Sequence, residues 1–124
     1  MDRLDDTPLA GQVPFGIDQA TDFARRLVGI AHDHGLSAGQ KNTPQLGAAR
    51  ADQIGFDFAV SEECARYGEC DLYRAVYDDR LIDIEYDRES FATACAEIGS
   101  AVSVVLRDRE VSRPGSPTYE DASC

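Results

Sequence analysis

FDFAVSEECARYGECDLY, residues 56–73, decides the reading of this chain. Phe56, Phe58 and Val60 alternate with Asp57 and Ala59, the period-two pattern of a β-strand. The run ends in two adjacent glutamates, Glu62 and Glu63, followed by Cys64 and Cys70 in a C-x5-C spacing. On an extended segment successive side chains point to opposite faces. If Val60 points inward, Glu62 shares its face and Glu63 turns away. A strand that delivers carboxylates to its tip and then two cysteines suits an active-site loop, a metal knuckle or a disulfide-bonded surface loop without chemistry.

The flanking segments set the context for that strand. Asp18 is a candidate cap for a helix in which Ala20, Phe23, Ala24, Leu27, Val28 and Ala31 form one apolar face. Gly35 is a natural terminator. Residues 36–41 read as a strand, 45–53 as a short helix and 71–79 as a helix. Residues 81–86 read as a strand, 88–99 as a helix and 101–106 as a fourth strand. From Arg107 the charge, Pro, Gly and Ser content predicts a tail running over the surface to Cys124. Regular alternation of this kind makes the chain an α/β protein with four parallel strands and crossover helices. Such a unit is either a small open sheet or the C-terminal half of a (β/α)8 TIM barrel, which takes about 250 residues when complete. Both architectures collect functional groups at the carboxyl ends of their strands. Those ends read Lys41-Asn42, Ser61-Glu62-Glu63, Glu85-Tyr86 and Arg107-Asp108, all polar, which favours the half-barrel. The expected organisation is a loop over 1–17, the half-barrel over 18–110 and a tail over 111–124.

A chain of 124 residues is ordinarily one domain. Its formal charge of −11 opposes binding to nucleic-acid phosphates and to anionic membranes, and suits a cationic ligand. There is no apolar run long enough for a membrane span. Four cysteines allow two disulfides in three connectivities, which implies an oxidising compartment. The acidic start MDRLDDTPLAGQ lacks the features of a signal peptide, so the natural N-terminus is expected upstream of Met1.

Glycoside hydrolysis needs two carboxylates flanking the scissile bond. Glu62 is placed to supply one and Glu85, at the next strand end, another. The alternative for such glutamates is to cap neighbouring helices. Lys41 and Asn42 suit sugar hydroxyls, and Tyr86 suits stacking on a sugar face. Zinc at Cys64 and Cys70 lacks partners, because His32 and His34 precede a strand and lie at the opposite end of the sheet. A Cys64–Cys70 disulfide would contribute roughly 2 kcal/mol in the chain-entropy model. A Cys95–Cys124 pair would pin the tail. No cofactor or metal is expected.

The stretches AHDHGLSAGQKN, FDFAVSEECARYGEC and IEY, in that order and spacing, resemble glycoside hydrolase family 114, whose founding activity is endo-α-1,4-polygalactosaminidase. The resemblance spans most of residues 12–110. It implies that the four strands are the fifth to eighth of the barrel and that Glu62 is one of two catalytic carboxylates. It implies a substrate groove lined by Lys41, Asn42, Glu85 and Tyr86. The family's other catalytic carboxylate is an aspartate in a motif like EPDNVD after the fourth strand. Met1-Asp2 would be the end of that motif, which puts Asp2 at the substrate. The family's cysteine pattern supports the two disulfides. Gln40 stands where the family has an apolar residue, and Glu63 where it has glutamine. Ser61 stands where the family has asparagine, and is expected to weaken a hydrogen bond to Glu62.

The expectation is therefore a fragment of a secreted glycosidase acting on a cationic, α-1,4-linked galactosamine polymer, inactive alone and completed by an N-terminal half-barrel or by self-association. The alternatives are a non-catalytic carbohydrate-binding or interaction module and a zinc-binding α/β module.

Overall fold

A computed structural model describes residues 14–124. Asp2 and most of the 1–17 loop lie outside the described residues. Helix α1 spans Ile17–Asp33, and its first turn is closed by Gln19, whose Oε1 accepts from the Gly16 N–H at 3.0 Å. Strand β1 is Gly39–Lys41. A 3-10 turn at Pro44–Leu46 leads into α2, Gly47–Ile54. Then come β2 (Phe58–Glu62), α3 (Cys64–Tyr67), α4 (Cys70–Tyr77), β3 (Leu81–Glu85), α5 (Arg88–Glu97), β4 (Ser103–Arg107) and β5 (Asp121–Ser123).

The strands hydrogen-bond in sequence order, β1 to β4 parallel and β5 antiparallel to β4. The fold is thus the expected α/β alternation with one strand more. The tail does not simply wander. Cys124 bonds Cys95 on α5, and backbone bonds from Cys124 N to Val104 O (3.1 Å) and back hold the tail along β4. That edge pairing stabilises a segment whose composition alone reads as loop. The second disulfide joins Cys64 and Cys70 across the α3–α4 connection.

The core lies between the helices and one face of the sheet. Ala59, Leu81 and Val104 from the strands meet Ala51, Tyr73, Tyr77, Ala94 and Ile98 from the helices. Strand registers place Val60 beside Ile82 and Ile84 beside Val105, all on the other face, which the helices do not cover. Ile82 keeps 38% of its surface exposed, whereas its neighbours Asp83 and Glu85 are fully buried under the helices. A sheet that hides carboxyls and shows isoleucines is inside-out for a free-standing unit. Helix α1 repeats the pattern. Ala20, Ala24 and Val28 are buried, but Phe23 and Leu27, expected on the same face, are more than half exposed, as is Ile30 beside them. The i, i+4, i+8 stripe of small residues packs inward and the broader apolar flank stays open. An apolar groove of about 830 Å³, lined by Phe15, Phe23, Leu27, Val28 and Phe56, runs beside α1 and β1. No helix among the described residues is long and apolar enough to cross a membrane.

Candidate active site

The site is built at the carboxyl ends of β1, β2 and β3. Gln40 prepares it from below. Its side chain is buried, with Nε2 donating to the Asn42 and Thr43 carbonyls at 2.9 Å each, while Oε1 accepts from the Tyr77 hydroxyl at 2.6 Å. Burial pushes the Tyr77 phenol up to about 12, so it stays a donor. Those carbonyl bonds hold a turn in which both Asn42 (φ 56°) and Thr43 (φ 62°) take the left-handed conformation, uncommon away from glycine. The polar residue at an apolar position is therefore satisfied, and it sets the turn that presents Lys41 and Asn42.

Glu62 ends β2 on the same face as Val60, as the alternation predicts. Three side chains converge on its carboxylate. Tyr86 OH donates to Oε1 at 2.6 Å, Asn42 Nδ2 donates to Oε2 at 3.0 Å, and Lys41 Nζ lies 3.0 Å from Oε2. Asn42 also accepts from the Glu62 backbone N–H at 2.9 Å, which fixes the strand end as well as the side chain. The Tyr86 hydrogen bond, followed by those of Asn42 and Lys41, outweighs partial burial and holds Glu62 down to about 2. Conversely, burial and the hydrogen bond to Glu62 push the Tyr86 phenol up to about 12. Glu62 is thus an ionised, oriented carboxylate, able to accept a proton or to stabilise a developing cation.

Lys41, Asn42, Glu62 and Tyr86 are brought together. Glu85 is not. It lies on the helix-covered face of β3, fully buried, and accepts from the Ala65 N–H at the start of α3 at 2.8 Å. The strand's period-two alternation sends Tyr86 to the open face and Glu85 away from it. Glu85 therefore does not line a groove with Glu62; it caps a helix, the alternative reading for a strand-end glutamate. Asp83 lies on the same buried side and accepts from Ser61 Oγ at 2.7 Å and from the Cys64 N–H at 3.3 Å. Burial raises both acids, Glu85 to about 7 with repulsion from Asp83 adding to it. Ser61 also faces this layer, so its hydroxyl supports Asp83 and makes no bond to Glu62. The Sγ atoms of Cys64 and Cys70 and a carboxylate oxygen of Asp83 lie within 4.8 Å of one another. Joined as a disulfide, the sulfurs offer no thiolate to a metal. His32, by contrast, pairs with Asp57 at 2.9 Å, before β2 begins and away from Glu62.

Glu63, expected only to turn away from Glu62, and Arg109, which sequence reasoning passed over, complete the surroundings. Glu63 takes the left-handed conformation (φ 59°), leaves the strand and is buried against Arg66 and Arg109, at 2.9 and 2.5 Å. Arg109, two residues beyond β4, lies over the Tyr86 ring at 4.9 Å from its centroid. Nothing local in the sequence marks that contact. A small cleft of about 150 Å³ beside Glu62 is lined by Asn42, Thr43, Pro44, Glu63, Tyr67, Glu69 and Tyr73, acidic and aromatic in character.

Comparison with known proteins agrees with this architecture. The structure matches the crystal structure of Aspergillus fumigatus Ega3 in complex with galactosamine with a TM-score of 0.66 at 23% identity. The match covers 96% of this chain and 52% of that one, so the chain spans about half the length of Ega3. At that identity the likeness shows the fold, part of a TIM-barrel enzyme. No curated protein matches the chain significantly in sequence. The model of glycoside-hydrolase family GH114 matches residues 3–122, nearly the whole length. The chain belongs to glycoside hydrolase family GH114.

Proposed function

We propose that this chain is the C-terminal half of a glycosidase barrel that hydrolyses α-1,4-linked galactosamine polymers, with Glu62 as one of two catalytic carboxylates. The observation that carries the proposal is the convergence of Lys41, Asn42 and Tyr86 on Glu62 at the carboxyl ends of neighbouring parallel strands. Enzymes of this fold place their chemistry there. Hydrolysis protonates the departing glycosidic oxygen and delivers water to the anomeric carbon, which takes two carboxylates. Held near 2, Glu62 alone is a base without an acid partner. A second carboxylate brought opposite by the other half-barrel raises Glu62 by like-charge repulsion, and barrel closure raises it further by desolvation, giving it the acid/base role. Lys41 and Asn42 then orient both Glu62 and sugar hydroxyls.

The uncovered isoleucine face and the groove beside α1 support a missing half, because each is apolar surface that an N-terminal half-barrel would bury. The formal charge of −11 suits a cationic polymer, and Ega3 was solved with galactosamine. Two disulfides suit an extracellular protein. The test is release of reducing ends from deacetylated galactosaminogalactan by this chain and by a form extended N-terminally with the first four strands. Turnover by the extended form alone is expected. Inactivity of both sinks the glycosidase reading, and binding by both without turnover makes the chain a carbohydrate-binding module instead.

A further inference from the structure

We propose that Glu63 and Arg109 form a positioning brace in which Glu63 anchors the Arg109 guanidinium over the Tyr86 ring and so keeps the Tyr86 hydroxyl aimed at Glu62. The inference rests on the reading of Glu62 as a catalytic carboxylate and adds two residues that act through Tyr86.

Tyr86 sits one residue beyond β3, half-buried on the side of the sheet that the helices leave uncovered. Its 2.6 Å bond to Glu62 is nevertheless the first cause of that carboxyl's low proton affinity. Something must hold the ring. The guanidinium of Arg109, 4.9 Å from the ring centroid, is within cation–π range. Arg109 is itself held at both ends. Next to it, Asp108 accepts from Ser112 N (2.9 Å), Ser112 Oγ (2.7 Å) and Glu120 N (3.3 Å), which ties the loop beyond β4 to the tail. At its tip, Nη2 donates to Glu63 Oε1 at 2.5 Å. Glu63 reaches that position through its left-handed backbone, a conformation that costs roughly 1–2 kcal/mol for an L-residue. Its side chain is buried, with Arg66 on the same oxygen. An exposed ion pair ordinarily adds little. This one has its carboxylate desolvated and its cation stacked, so it supplies geometry. The cation also opposes the rise of the phenol caused by burial, by Glu62 and by Glu63 itself, keeping Tyr86 a stronger donor. The adjacent glutamates thus divide the work, Glu62 facing the open sheet and Glu63 fixing its partner.

The test is a carbon-13 NMR titration of the Glu62 carboxyl on the acid side of neutrality, in this 124-residue chain, with E62Q to assign the signal. The groups facing Glu62 are Lys41 from β1, Asn42, and Tyr86 just beyond β3, with Arg109 and Glu63 behind Tyr86. Y86F should raise the Glu62 pKa by about one unit and R109Q by about half a unit, whereas E63Q, which also removes a like charge next to Glu62, should raise it by less than R109Q. R109Q added to Y86F should produce no further rise, because the brace acts through the missing hydroxyl. R109K, which keeps the charge but not the planar stack, should fall between R109Q and the parent. A Glu62 titration unchanged in both R109Q and E63Q, or an R109Q shift that persists in full in the Y86F background, overturns the brace. Should R109Q fail to give a native amide spectrum, E63Q and R109K carry the test. Neither outcome touches the assignment of Glu62 itself, which activity of E62Q in the extended protein decides separately.

Discussion

Replacing Glu85 by glutamine should flatten the pH dependence of stability and make the protein more stable above neutrality. Glu85 and Asp83 are fully buried on one side of β3. Glu85 Oε2 and Asp83 Oδ2 are buried with no donor, and the two carboxyls share one face of β3, close enough for each to shift the other's proton affinity. One proton held between them gives each a partner. Burial, then repulsion from Asp83, raises Glu85 from 4.5 to about 7 in the folded state. Between those values the folded chain binds a proton that the unfolded chain has released, so stability falls as pH rises. At about 1.4 kcal/mol per pH unit, the interval is worth about 3 kcal/mol, fully present below 4.5 and gone once pH passes 7. Glutamine keeps an oxygen for the Ala65 N–H and offers its NH2 to Asp83, which can then ionise without a like charge beside it. Urea unfolding of parent and E85Q at matched pH values from 4.5 to 8 gives the difference directly. E85Q should gain on the parent by about 3 kcal/mol across that range. Equal slopes in the two proteins would refute the shared proton.

Three further changes have definite outcomes. Q40L leaves the Asn42 and Thr43 carbonyls and the Tyr77 hydroxyl without their buried partner. It should cost about 2–3 kcal/mol by urea unfolding, with the Asn42 amide signals displaced, whereas a loss under 0.5 kcal/mol would show that the turn holds itself. C124S opens the loop closed by the Cys95–Cys124 bond, 29 residues apart. The chain-entropy model gives a loss of about 3–4 kcal/mol, and hydrogen exchange at Val104 should quicken as β5 leaves β4. Unchanged exchange would mean that strand pairing alone holds the tail. I82D places a charge on the open sheet face, where Ile82 is only partly exposed, so a free-standing unit should lose about 1–2 kcal/mol. In the N-terminally extended protein the same substitution should cost about 3 kcal/mol or more, because there the charge is buried. Equal effects in both forms would argue against a second half covering that face.

The alternation and the order of elements were legible because hydrophobic periodicity and turn residues mark them locally. Glu62 was legible as the inward member of its pair once Val60 was taken as facing inward. The face of β3 was not. In LIDIEY the isoleucines look like core and the acids like surface. The acids are instead buried by α3, from whose backbone N–H groups they accept, and the isoleucines lie on the face the helices leave uncovered, Ile82 exposed and Ile84 half-buried. Alternation gives two faces without saying which one the helices cover. Phe23 and Leu27 were misplaced for the same reason, since an apolar flank does not reveal whether its partner belongs to the same unit. Arg109 was invisible because its contact with Tyr86 joins loops beyond two different strands. Likewise β5 has tail-like composition and owes its strand to an edge and a disulfide.

The central claim is that Glu62 is a catalytic carboxylate of a galactosamine-polymer hydrolase. The most direct test is the rate at which the extended protein and its E62Q form release reducing ends from deacetylated galactosaminogalactan. Glutamine is nearly isosteric and still meets Tyr86 and Asn42, but it can neither take nor give the proton. The account predicts a fall in kcat of about a hundredfold to ten-thousandfold with polymer binding retained. An E62Q protein working within a few-fold of the parent would contradict it.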